Sequence, residues 1–396
     1  MHLKRFIRFV VINGILQSIA GNAALTLDKQ PEEAVPLWRE CSTFDDEAVH
    51  PVLCHKVKQL LRDPVAMSQE LYDWAEHHNL LIKSSPMNTP YSIGLEKQRR
   101  LRRDSQKLGV PIAVAHGMGD SCFNEGIQHV TERISRLLSD ESLYINVTCV
   151  PMGNTQTQDT NSGYFLNMDA SVDLFATHIR NDPQYRNGFQ ALGFSQGNNV
   201  IRGYIAKYND PPVHSFISIN GVNAGEGAVP YCRPSASVHL PSICDLLMEQ
   251  ASRAAYTEYA QQHSFQANYW RDPRPSEFST YQQFSQLARW NNEVANNINQ
   301  TLRENWSRTE KFIWVLASQD HMVWPPEGEQ WGAPDPDHPF SVILPRNQTA
   351  WYQRDLFGLK TAEEQGKNYY EQFDGDHLQF EWDDFDRWIT TYFKSK

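Results

Sequence analysis

The sequence predicts an α/β fold: a mainly parallel sheet flanked by helices and interrupted by one large, mostly helical insertion. Three observations predict it. From Val110 onward, short apolar runs alternate with helical stretches, the pattern of βα units. A Gly-x-Ser-x-Gly element follows one of those runs directly. Residues 223–310 then break the alternation before a further strand resumes it.

The elements follow in order. Ile112 to Ala115 reads as a short buried strand ending at His116-Gly117-Met118-Gly119, and residues 144–150 read as a second strand. A helical stretch over 169–181 leads to the strand Gln190 to Phe194, a helix starting near Gln196 and a strand over Ser215 to Asn220. The inserted residues 223–310 are largely helical and aromatic; they suit a substrate-shaping cap or a satellite core. Phe312 to Ser318 resumes the sheet, and a helix closes the chain.

The N-terminal part reads differently. Lys4, Arg5 and Arg8 precede an apolar run, Phe9 to Ile19, followed by the small residues Ala20 to Ala24, so residues 1–24 are expected to be a cleaved signal peptide. No stretch is long enough for a stable transmembrane anchor. Residues 25–107 form an extension with two cysteines and polar helical segments at Val52 to Arg62 and Ala66 to Asn79. It ends in a basic run, Lys97 to Arg103, which is a solvated linker or a processing site between Arg99 and Asp104. The main domain is expected over 108–396.

Composition bounds the partners. At 40% hydrophobic residues, a chain of 396 residues can bury a large core. A net charge of -11 argues against nucleic acid, which needs clustered Lys and Arg. The fourteen histidines outnumber that excess, so an acidic compartment would reverse its sign. Six cysteines (Cys41, Cys54, Cys122, Cys149, Cys232 and Cys244) suit a secreted protein, and their spacings match no zinc site. The sequons at Asn146, Asn299, Asn305 and Asn347 are glycosylation candidates for the same compartment.

Chemistry concentrates at three places. In Gly193-Phe194-Ser195-Gln196-Gly197, a sharp strand-to-helix turn would lift Ser195 above the sheet, with the glycines leaving room for close packing. A serine hydroxyl needs a base, and in this arrangement an acid and then a histidine follow it in the chain. Asp320 ends the strand after the insertion and is the candidate acid; His377, in a Gly-containing loop before the last helix, is the candidate base. His338, between Pro336 and Pro339, is a rival base in a surface-like loop. Asp374 and Asp376 are rival acids too near His377 in sequence to reach the far side of its ring. Oxyanion donors are expected from the backbone N–H groups of Gln196 and of Met118, in the loop after the first strand. This chemistry calls for no metal and no cofactor.

Several segments in one order resemble the palmitoyl-protein thioesterases, especially the lysosomal type, within the α/β-hydrolase superfamily. They are His116-Gly117-Met118-Gly119-Asp120-Ser121-Cys122, Gly193 to Gly197, Pro230-Tyr231-Cys232 with Ile243-Cys244-Asp245, Tyr269-Trp270-Arg271-Asp272-Pro273, Arg354 to Lys360 and Gly375-Asp376-His377. The resemblance covers residues 108–396 and implies cleavage of long-chain acyl thioesters from S-acylated cysteines of proteins or peptides. It implies Ser195, Asp320 and His377 as the triad, Met118 and Gln196 as oxyanion donors, and an acyl groove at the insertion. It also implies a Cys232–Cys244 disulfide; Cys41 with Cys54 and Cys122 with Cys149 are then the leftover pairs. Asn198 stands where the family usually has a further Gly, and Arg271 where it usually has His. The extension has no family counterpart. An oxygen-ester lipase is the alternative on the same scaffold, and an inactive lipid carrier the non-enzyme reading.

Overall fold

The computed structural model describes residues 107–230, 248, 251–294 and 298–394. The expected signal peptide, the extension through residue 106 with its basic run, Cys41, Cys54, Cys232 and Cys244 lie outside the described residues.

Six parallel strands form the sheet: β1 (Ile112–Ala115), β2 (Val147–Cys149), β3 (Phe189–Phe194), β4 (Val213–Ile219), β5 (Lys311–Ala317) and β6 (Asn368–Phe373). Their spatial order is β6-β5-β4-β3-β1-β2. The central strands carry apolar residues on both faces, because helices cover both. Ala113, Ala191, Phe216, Phe312 and Trp314 point into one core. Ile112, Val114, Leu192, Ile217, Ile313 and Val315 point into the other. This is the period-two split of a pleated strand.

Helices α1 (Glu125–Leu138) and α12 (Trp382–Tyr392) close the second core with Ile127, Val130, Ile134, Phe385, Trp388 and Ile389. Helices α2 (Gln156–Phe165), α3 (Met168–Asn181) and α4 (Gly197–Lys207) cover the first. The start of α3 is set by Asn167, whose side chain accepts from the Ala170 N–H and so satisfies a helix-end donor.

The expected strand over 144–150 is divided. Leu143–Tyr144 pairs with Lys107–Leu108, and only Val147–Cys149 joins the main sheet. Two serines of the preceding segment cause the break: Ser139 Oγ accepts from the Ile145 N–H, and Ser135 Oγ donates to the Ile145 carbonyl. Both backbone groups of Ile145 are thereby withdrawn from a ladder.

The described part of the insertion is a chain of short helices rather than long ones: α5 (Glu258–His263), α6 (Phe265–Tyr269), α7 (Phe278–Phe284), α8 (Gln286–Trp290) and α9 (Gln300–Ser307). Ser264 separates α5 from α6, and Ser285 separates α7 from α8, each in an extended conformation. The insertion's Phe265, Trp270, Tyr281, Leu287 and Trp306 join the same core as the sheet, so these apolar residues are no satellite. Helices α10 (Ala350–Gln353) and α11 (Leu359–Glu364) lie between β5 and β6. No helix among the described residues is long and apolar enough to cross a membrane.

Candidate active site

The site lies where the carboxyl ends of β1, β3, β4, β5 and β6 meet. All six residues of β3 are buried, which fixes the strand, and Ser195 immediately after it takes a left-handed φ of 50°. That conformation costs a residue with a Cβ about 1–3 kcal/mol and persists only when neighbours enforce it. Here they do. The Ser195 N–H donates to the Ile219 carbonyl at 3.0 Å. At Gly197, a Cβ would fall on the carbonyl oxygens of Ala115 and His116. Asn198, the departure from the family pattern, braces the turn: its Nδ2 donates to the carbonyls of Ser195 (3.0 Å) and Ile219 (2.9 Å). Its side chain fills the space beside Gly193, which admits no Cβ.

The three triad candidates come together. His377 Nε2 stands 2.8 Å from Ser195 Oγ, and His377 Nδ1 stands 2.6 Å from Asp320 Oδ2. Asp320 is 2% exposed, and its other oxygen accepts from the N–H groups of Met322 (2.7 Å) and Val323 (2.8 Å). Burial pushes the Asp320 carboxyl up. The hydrogen bond and charge of His377, with backbone help from Val323, outweigh burial and hold it below the usual range.

The rivals stand elsewhere. Asp374 accepts from Ser318 Oγ and Gln319 Nε2. Asp376 accepts from the backbone N–H groups of His377 and His321 and pairs with the His321 ring. Both carboxylates brace the His377 loop without bonding to its imidazole. His338 is exposed beside Asp335.

The loop after β1 comes against the nucleophile: a Cβ on Gly117 would lie 3.2 Å from Ser195 Cβ. Among the described residues, the backbone N–H groups of Met118 and Gln196 donate to no protein acceptor. The loop is held from below by Asp159 of α2, which is fully buried. Asp159 takes His116 Nε2 (3.1 Å), Ser121 Oγ (2.9 Å) and the N–H groups of Cys122 (2.8 Å) and Met152 (2.5 Å). A Cys122–Cys149 disulfide ties the end of the loop to β2. Gln196 is fixed from above, donating to the Gly163 carbonyl at 2.7 Å, while Gln266 of α6 donates to that same carbonyl and to Gln196 Oε1.

Sequence reasoning missed Asp159, Gln266, Asn220 and Glu329. Glu329 is wholly buried beneath the triad; its Oε2 accepts from Asn220 Nδ2 (2.8 Å) and the Ala317 N–H (3.0 Å). Asn220 Oδ1 in turn accepts from the N–H of Leu378, next to His377. Among the described residues, two groups of side chains have metal-ligand spacing: Asp320, Glu329 and His377, and His116, Cys122 and Asp159. In the first, Asp320 and His377 are bonded to each other; in the second, Cys122 is spent in the disulfide.

Arg271, in place of the family's usual His, pairs with buried Glu293 through both terminal nitrogens (2.6 and 2.9 Å) and lies over the rings of Tyr281 and Trp351. One glycosylation expectation is corrected. Asn305 is 4% exposed, with its Nδ2 donating to the Ala206 carbonyl and Trp306 packed beside it, so no glycan fits there. Asn299 and Asn347 are exposed, and Asn146 is half-buried against Gln184. A narrow cavity adjoins Gln196 and Gly197, bounded by Val150, Met152, Val200 and Phe265. Of these four side chains only Phe265 comes from the insertion.

The family described as palmitoyl protein thioesterase matches residues 111–377. The chain is 32% identical over 271 residues to palmitoyl-protein thioesterase 1 of Caenorhabditis elegans, covering 68% of this chain and 87% of that protein. It is 27% identical over 261 residues to palmitoyl-protein thioesterase 3 of Dictyostelium discoideum, covering 66% and 82% of the two. Against lysosomal thioesterase PPT2 of Homo sapiens it is 25% identical over 257 residues, covering 63% and 76%. With a parallel sheet in this strand order and a family match over most of the described residues, the chain belongs to the palmitoyl protein thioesterase family.

Proposed function

We propose that the protein hydrolyses long-chain fatty acyl thioesters, freeing palmitate-like acids from S-acylated cysteines of proteins or peptides. The observation that carries this reading is the unbroken line from Ser195 Oγ through both ring nitrogens of His377 to Asp320. Ser195 Oγ attacks the thioester carbonyl while His377 Nε2 takes its proton, and Asp320 orients the imidazole and stabilises the imidazolium. The oxygen of the tetrahedral intermediate rests on the N–H groups of Met118 and Gln196, each worth about 10²–10³ in rate. The cysteine thiol leaves, with a pKa of about 8.5, so it needs less acid assistance than an alcohol. Water, deprotonated by His377, then releases the fatty acid. The proton that His377 takes from Ser195 passes to the departing sulfur, and the one it takes from water returns to Ser195 Oγ as the acyl-enzyme breaks.

The acyl chain is expected in a groove at the insertion over residues 223–310, whose Phe265 bounds the small cavity beside Gln196. Turnover of a palmitoyl-cysteine peptide compared with a palmitoyl oxygen ester and short acyl thioesters tests the reading. A preference for the oxygen ester would make the protein a lipase, and no turnover with intact folding would make it a carrier. A lysosomal address is part of the proposal, because a curated relative is named as lysosomal and the sequence carries signal-like residues 1–24 and exposed sequons. The basic run before Asp104 is a solvated linker or the place, between about Arg99 and Asp104, where the extension is removed; intact mass of the protein from its native compartment decides, and a mature start near residue 25 leaves the run as a linker.

A further inference from the structure

Two buried carboxyls face each other beneath the triad with one histidine between them and the nucleophile. Asp320 and Glu329 each offer an oxygen within 4.8 Å of the other and of a His377 ring nitrogen. Asp320 already accepts three N–H groups, from His377, Met322 and Val323. Glu329 Oε2 accepts two, while its Oε1 is buried and receives none. The titratable groups facing Glu329 are Asp320 from the end of β5 and His377 from the loop after β6, while Glu226 from the loop after β4 acts on Asp320. Among the described residues no lysine or arginine is paired with Glu329. Two adjacent carboxylates cannot both remain ionised in such a place, so one keeps a proton.

We infer that Glu329 is a positioning residue for the acid–base pair: as a neutral acid it donates a hydrogen bond to Asp320, and through Asn220 it fastens the loop presenting His377. The inference rests on Asp320 and His377 acting as proposed above. The three N–H donors leave the charge on Asp320 and the proton on Glu329. Burial, then the neighbouring Asp320 charge, hold the Glu329 carboxyl well above the usual range. A proton on Glu329 satisfies its otherwise orphaned side and fixes the Asp320 oxygens toward the imidazole. The Asn220 link reaches Leu378, whose left-handed φ of 59° sets the direction of the His377 loop.

The test compares Glu329→Gln with Glu329→Met in the full chain. An amide reproduces a neutral acid, accepting from Asn220 and Ala317 while donating to Asp320; a thioether cannot. The Met variant should lose about ten- to a hundredfold in kcat with KM little changed. The Gln variant should recover most of that loss, with the acid limb of its kcat/KM profile where the wild type has it. If Glu329 were ionised, the amide would remove a negative charge beside the triad and slide that limb to lower pH, which would overturn the inference. So would a Gln variant as impaired as the Met variant, or one that does not fold. The infrared spectrum decides independently of turnover: the wild type at neutral pH should show a buried carboxylic-acid carbonyl band that the Gln variant lacks. Its absence refutes a neutral Glu329 even if the Met variant cannot be folded. If Ser195→Ala kept full turnover, the proposed function would fall, while the band would still report on Glu329.

Discussion

Asp159 holds the ring of His116 at 3.1 Å although 43 residues separate them, and both side chains are buried. The pair is the floor of the loop that presents the Met118 N–H. Its electrostatics run in two directions. Burial opposes the charge on His116, but Asp159 more than compensates and raises the imidazole above its ordinary 6.5. Burial likewise opposes the Asp159 carboxylate, and the His116 hydrogen bond and charge, with the N–H groups of Cys122 and Met152, still lower it.

A pH-dependent stability follows from these directions. The lowered Asp159 contributes stability above its unfolded value of 3.8, lost as pH falls through its depressed folded value. The raised His116 contributes fully below 6.5, and that part is lost as pH rises through its elevated folded value. The ion pair is therefore strongest in the mildly acidic range. The melting-temperature gap between wild type and Asp159→Asn should be wider at about pH 5 than at about pH 9. Equal gaps would mean a neutral hydrogen bond rather than an ion pair.

Ser195→Ala and His377→Ala should each reduce turnover severely, and Asp320→Asn less so. The losses should not add, because the three side chains act on one proton and one bond. Measuring kcat/KM for single and double variants checks this. If Asp320→Asn were nearly silent while a change at Asp374 or Asp376 crippled the enzyme, the acid would be misassigned.

What made this site legible was local: an apolar strand running into Gly193 to Gly197, another ending before Asp320, and a Gly-containing loop at His377. Residues that support them left no such mark. Asp159 sits in a polar helix with no motif around it, and its partners His116 and Ser121 are more than thirty residues away. Glu329 lies in a Pro-flanked turn where an acidic residue reads as solvated surface, yet it is wholly buried. The sequon at Asn305 misled for the same reason. Nothing in Asn305-Trp306-Ser307 reveals that Leu302 and Trp306 turn this face of α9 inward. Gly-x-Ser-x-Gly encodes a backbone shape, whereas burial of a single polar side chain is decided by elements distant in the chain.

Arg271 and Glu293 form a buried pair within the insertion, with side-chain exposures of 16% and 3%. Burial opposes the Glu293 charge, and Arg271 outweighs it, leaving the carboxyl below its usual range. Arg271→Leu should therefore strand a buried charge and destabilise the protein by about 3–5 kcal/mol. Urea unfolding measures it. The loss should shrink at low pH, since the Glu293 contribution present above 4.5 disappears as pH falls through its depressed folded value. A loss below about 1 kcal/mol would place the pair among solvent-screened bridges.

Acyl-chain selectivity tests the substrate class most directly. Each methylene buried in a groove under the 223–310 insertion should contribute roughly 0.8 kcal/mol, or about fourfold in kcat/KM. From four carbons to sixteen, specificity should climb steeply and then level off once the chain outgrows its site. Monomeric peptide thioesters are required, because micelles and diffusion would compress the upper end. The binding step should carry most of the gain, since the chain's contacts form before the carbonyl reacts; kcat should rise only where the chain also orients that carbonyl against Ser195. Phe265→Ala would enlarge the cavity at its one insertion side chain and should weaken discrimination among long chains more than it alters turnover of a four-carbon substrate. A flat series in the wild type would sink the long-chain reading even with the triad confirmed. The same Ser195, His377 and Asp320 would then serve a short-chain esterase, because their geometry selects the carbonyl chemistry and is indifferent to the length of what is attached.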